Sequence, residues 1–164
     1  MPSKKIGLML AFACLAIATG SSDSQAAAAK RAPASGIHGA ATMKGNNFVL
    51  QAVSASCKKG EECTLTLRLE AQGAYHINDS YPYKFTPLVK DSKPVSENVE
   101  FAKESFSKSG GDFKKEGEKL ATLTVKFKPT AAKGKIVGVY RMSVCSEQNC
   151  QLEQQEIRLD VEGK

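Results

Sequence analysis

From residue 47 onward, apolar side chains recur at every second position, and that period limits what the chain can become. In TLTLRLE, residues 64–70, Leu65, Leu67 and Leu69 point one way while Thr64, Thr66, Arg68 and Glu70 point the other. Successive side chains of a strand leave opposite faces of a sheet, so this pattern predicts a half-buried strand. LATLTVKFK, residues 120–128, repeats it with Ala121, Leu123, Val125 and Phe127 inward, and Pro129 ends the run. In IVGVYRMSVC, residues 136–145, Ile136, Tyr140, Met142 and Val144 share one face. In EIRLDVE, residues 156–162, Ile157, Leu159 and Val161 alternate with Arg158 and Asp160. NFVLQAV, residues 47–53, and YKFTPLV, residues 83–89, are further strand candidates.

No segment sustains a helical period, and the turn-forming clusters KKGEE, SYPY, DSKP, SGGD and TAAKGK separate the strands. The apolar face of each strand must be covered by another sheet, so the expected fold is an all-β, two-sheet sandwich. The longest polar stretch, KESFSKSGGDFKKEGEK at residues 103–119, reads as a long loop or mobile hairpin carrying Phe106 and Phe113.

The first residues set the compartment. MPSKK is a short cationic region, IGLMLAFACLAIA is an apolar run, and SSDSQA places small residues at Ser24 and Ala26. This is the pattern of a secretory signal over residues 1–26, with an apolar run too short to span a bilayer comfortably. The protein is therefore expected in the periplasm or outside the cell, with no integral membrane span in the mature chain. Cys14 is a competing lipoprotein anchor. Ala11, Phe12 and Ala13 before it, and the apolar run continuing through Leu15 and Ile17, argue against that role. Residues 27–46, rich in alanine and glycine, read as a flexible leader with a solvated His38, and residues 47–164 as the folded domain. The net charge of +6 is dominated by scattered lysines. There is no arginine-rich or aromatic-interleaved basic motif, so nucleic acid is not an expected partner.

Beyond Cys14 stand Cys57, Cys63, Cys145 and Cys150, and an even number in an exported chain argues for disulfides before metal. A tetrahedral zinc site fits poorly, because the two cysteine pairs lie far apart and export removes the reducing environment such thiols need. No cofactor is expected.

Val144 ends one strand and CQLEQQEI begins the next, which makes SEQN a four-residue hairpin loop. Directly opposed residues of a non-hydrogen-bonded pair have Cα atoms about 4.5 Å apart, close enough for a disulfide between Cys145 and Cys150. Closing so small a ring contributes about 2 kcal/mol in the chain-entropy account, against about 4.6 kcal/mol for a bond from Cys57 to Cys145. The local bond is the weaker staple and makes more sense if it must open and close. CKKGEEC has the same local form, but Cys63 shares parity with Leu65 and Leu67, so Cys57–Cys63 reads as a structural disulfide. Nothing in the sequence activates Cys145. Glu147 would oppose its ionisation, and Arg141 lies about 13 Å away along the strand. The pair is suited to exchange with an activated thiol on a partner.

Two stretches carry a family likeness. AQGAYHINDSYPYKF, residues 71–85, and VGVYRMSVCSEQNCQLEQQEIRL, residues 137–159, resemble segments of the N-terminal periplasmic domain of the thiol:disulfide interchange protein DsbD. The likeness covers roughly residues 47–162. It implies an immunoglobulin-like sandwich in which Cys145 and Cys150 exchange electrons with thioredoxin-like or disulfide-isomerase-like periplasmic proteins. In that family aromatic residues on a cap loop shield the disulfide, and Tyr81, Tyr83, Phe85, Phe106 and Phe113 are the candidates here. The Cys57–Cys63 pair is an addition to the family pattern, and the prolines often found after the second cysteine are missing.

Other side chains have plainer readings. His76 is expected to be a structural histidine, hydrogen-bonded in a turn. Tyr81 and Tyr83 are expected half-buried, and Met142 packed in the core. The competing function is a non-catalytic sandwich that binds a protein partner, with both disulfides structural.

Overall fold

The computed structural model describes residues 39–55 and 57–163. The expected signal segment, Cys14 and His38 lie outside the described residues. Within them the chain forms strands and no helix. In order these are β1 (Ala40–Lys44), β2 (Phe48–Ser54), β3 (Cys63–Ala71), β4 (His76–Ile77), β5 (Lys84–Pro87), β6 (Val89–Lys90) and β7 (Lys93–Pro94). They continue as β8 (Val99–Phe101), β9 (Phe106–Ser107), β10 (Phe113–Lys115), β11 (Leu120–Pro129), β12 (Lys133–Cys145) and β13 (Cys150–Glu162).

One sheet runs β1-β2-β3-β11-β10, with β8 also paired to β11. The other runs β13-β12-β5-β9, with β4 also paired to β12, and β6–β7 form a separate small hairpin. Every ladder is antiparallel.

The period-two pattern is what brings the sheets together. Along β3, Cys63, Leu65, Leu67, Leu69 and Ala71 are buried while Arg68 and Glu70 are exposed. Along β11, Ala121, Leu123, Val125 and Phe127 are buried, and the register sets Leu123 against Leu67 and Val125 against Leu65. The second sheet contributes Phe85, Tyr140, Met142, Val144, Ile157 and Leu159 to the same apolar cluster. Two sheets thus cover one core, which makes the fold an all-β sandwich. Each fully buried aliphatic or aromatic side chain contributes about 1.5–3 kcal/mol.

Three expectations change. The leader ends before residue 46, because Ala40–Lys44 pair with β2 and lay Ala41 and Met43 on the core. A strand this short and alanine-rich carries too little contrast to show a period. Residues 103–119 are not a hairpin: β9 pairs with β5 in one sheet and β10 with β11 in the other, so the segment crosses between sheets. Phe106, fully buried, anchors that crossing. Tyr83 is fully buried rather than half-buried, whereas Tyr81 is partly buried as expected.

Cys57 and Cys63 form a disulfide with Cα atoms 6.0 Å apart. Cys63 is 4% exposed within the core, and Cys57 bridges to Gly163 near the end of the chain. This bond ties the β2–β3 connection to the sandwich.

Candidate functional site

Along β12 the inward residues are Tyr140, Met142 and Val144, so Arg141, Ser143 and Cys145 leave the other face. Cys145 faces Cys150 directly across the β12–β13 ladder, and the two form a disulfide with Cα atoms 4.0 Å apart. The Ser146 N–H donates to the Asn149 carbonyl at 2.8 Å, closing the turn one pair beyond the cysteines. That makes Cys145 and Cys150 the non-hydrogen-bonded type of pair, whose backbones approach most closely. The Ser146 hydroxyl also accepts from the N–H groups of Gln148 and Asn149, leaving Glu147 and Gln148 exposed at the tip.

The two sulfur-bearing residues have different surroundings. Cys145 is 5% exposed yet stands apart from the core cluster, so its cover comes from the outer side. Cys150 is exposed. The cover is the segment that joins β3 to β5. Asn78 donates from Nδ2 to the Ser143 hydroxyl at 3.2 Å and lies 3.9 Å from the Cys150 sulfur. Its amide therefore reaches from the β4 side over β12 toward β13, roofing Cys145. Tyr83 fixes the far end of this segment by donating its phenol to the Ser143 carbonyl at 2.6 Å.

Tyr75 ties the segment to the turn. Its hydroxyl donates to Asn149 Oδ1 at 3.1 Å and accepts from Gln151 Nε2 at 3.3 Å. Gln151 Oε1 in turn accepts from Asn47 Nδ2 at 2.9 Å. Beside this clasp lies a shallow cleft of about 400 Å³, lined by Tyr75, His76, Asp79, Lys115 and Lys119 among others. Lys115 pairs with Asp79 at 2.7 Å and, through that hydrogen bond, holds its carboxyl below the usual range. Lys119 donates to the Gly73 carbonyl at 2.6 Å. On the open side, Leu152 follows Cys150 on the same strand face and is 69% exposed.

The sequence placed Cys145 and Cys150 opposite one another, and they are. It misplaced His76, which stands exposed in β4 and whose imidazole makes no hydrogen bond among the described residues. Of the cap candidates, Tyr81 lies in the covering segment and packs edge-on against Tyr83 at 5.3 Å. Tyr83, Phe85 and Phe106 are core residues, and Phe113 stacks on Tyr83 at 4.2 Å. Around the disulfide stand Tyr75, His76 and Asn78 instead. All three belong to the AQGAYHINDSYPYKF stretch, and two rows of pairing, His76 to Cys145 and Ile77 to Val144, bring them there. Among the described residues no cluster of three or more His, Cys, Asp or Glu could hold a metal ion. No family model matches the sequence, and neither a curated protein nor a solved structure matches it.

Proposed function

We propose that the protein is an exported thiol–disulfide exchange module, similar to the DsbD N-terminal domain, working through Cys145 and Cys150. One observation carries this reading: the two joined cysteines stand apart from the apolar cluster, Cys145 buried beneath a cover and Cys150 exposed. Exchange needs an attacking thiolate to reach one sulfur in line with the bond that breaks. Cys150 is the sulfur offered to solvent, and Cys145 is the leaving group. A dithiol partner attacks Cys150, forming a mixed disulfide and releasing Cys145 as thiolate. The partner's second thiol then attacks its own half of the mixed disulfide, leaving the partner oxidised and Cys150 reduced. In reverse, the Cys150 thiolate attacks an oxidised partner and Cys145 resolves the adduct. Leu152 beside Cys150 supplies apolar contact for a thioredoxin-like or disulfide-isomerase-like periplasmic protein. Cys57–Cys63 stays closed as a structural bond.

A trapping experiment tests this. Cys145→Ser leaves an exposed thiol with no resolving neighbour and should accumulate a mixed disulfide with an oxidised thioredoxin-like protein. Cys150→Ser, which retains only the roofed thiol, should not. The wild-type disulfide should equilibrate well above the −300 mV or so below which structural disulfides lie. A potential below that limit, together with no adduct from Cys145→Ser, would make the bond a staple and leave a non-catalytic, partner-binding sandwich.

A further inference from the structure

Cys150, Cys145 and His76 form one row across three neighbouring strands. Directly opposed residues on antiparallel strands project from the same face, with Cβ atoms about 4.5–5.5 Å apart. The imidazole of His76 therefore leaves the face that carries the disulfide, on the side of Cys145 away from Cys150. It is exposed and without a hydrogen bond among the described residues. Other charged groups stand around it, two of them carboxylates of the same cleft. Asp79 on the same segment pairs with Lys115 of β10, its backbone carbonyl accepts from Lys108, and its carboxylate also feels the charge of His76. Lys119 is held by Gly73, and Glu118, whose backbone carbonyl accepts from the Ile77 N–H, lines the same cleft. Arg141 on β12 bonds Gln154 of β13, and Glu147 sits at the exposed turn.

We propose that His76 is the counter-ion and proton donor for the sulfur that leaves, a role that rests on the exchange reading above. When a partner thiolate bonds to the Cys150 sulfur, the Cys145–Cys150 bond breaks and its electron pair departs on Cys145. Burial alone disfavours a thiolate there. As imidazolium, His76 offsets the charge, then passes a ring proton to the sulfur and ends neutral. In the reverse direction neutral His76 takes that proton back.

The test frees Cys145 by substitution rather than by reduction. In the Cys150→Ser protein, alkylation of the Cys145 peptide is followed against pH by mass spectrometry. Adding His76→Gln should slow alkylation several-fold on the acidic side, where an imidazolium beside the sulfur favours its thiolate, and leave the alkaline side unchanged. His76→Lys, charged on both sides, should keep alkylation fast throughout. Coincident alkylation curves with and without His76 overturn the proposal. A disulfide that no dithiol partner opens would instead sink the exchange reading, and the alkylation curves would separate the two failures.

Discussion

Tyr83 donates its phenol from within the core to the carbonyl of Ser143, two residues before Cys145, at 2.6 Å. The same carbonyl accepts from the Asn78 N–H at 3.5 Å, so one backbone oxygen anchors the covering segment at Asn78 and at Tyr83. Tyr140 is its counterpoint, fully buried with a hydroxyl that finds no partner among the described residues.

The two tyrosines should therefore respond oppositely to loss of the hydroxyl. Tyr83→Phe should cost about 1–2 kcal/mol in urea unfolding, because it removes a buried bond and leaves a carbonyl under-satisfied. Tyr140→Phe should be neutral or stabilising, because it removes a desolvated group that gains nothing in return. Burial pushes both phenols well above their ordinary range. A folded pKa above the unfolded one gives stability that is complete below about pH 10 and lost as pH rises past it. Unfolding free energy should thus fall on the alkaline side, and more gently in Tyr140→Phe. Equal losses from both substitutions at neutral pH would contradict the assignment.

Tyr75 holds the covering segment to the turn through Asn149 and Gln151. Tyr75→Phe keeps the ring against the core and removes only that clasp. Reduction of Cys145–Cys150 by a small dithiol should become several-fold faster, while stability changes by less than about 1 kcal/mol, the worth of exposed hydrogen bonds. An unchanged reduction rate would show that the clasp does not control access.

The two disulfides should open in a fixed order. Cys63 is 4% exposed inside the core, whereas Cys150 is exposed. Graded dithiol followed by alkylation should label Cys145 and Cys150 first and Cys57 and Cys63 only as the fold is lost. Replacing Cys57 and Cys63 together by Ser should lower stability by about 2 kcal/mol, the chain-entropy value for so short a loop.

Gly138 is where β12 passes closest to the core aromatics. A Cβ there would come within 2.2 Å of the Phe85 ring and 2.9 Å of the Thr86 carbonyl. Gly138→Ala should cost about 1–3 kcal/mol by overpacking, read as a lowered melting temperature. A second substitution, Phe85→Leu, should recover part of the loss.

Much of this architecture is written in the period of the chain. The alternation in TLTLRLE and LATLTVKFK predicts the inner faces of β3 and β11 residue by residue. The step from Val144 to Cys145 crosses from the inner face to the outer one, which is how the cysteine hairpin comes to stand outside the core. Those features are local: a strand's parity and a short hairpin's register follow from a few neighbouring residues. The roof over Cys145 is not local. β4 is two residues long and carries no period, so nothing near His76 in the sequence announces Cys145 as its neighbour. β9 and β10 are equally brief, and their division between sheets depends on which edges remain open once β5 and β11 are placed. Alternation along one segment specifies which way its side chains point. Which distant strand lies alongside is decided only when both sheets close on a shared core, and that closure sets His76, Asn78 and Tyr75 around the disulfide.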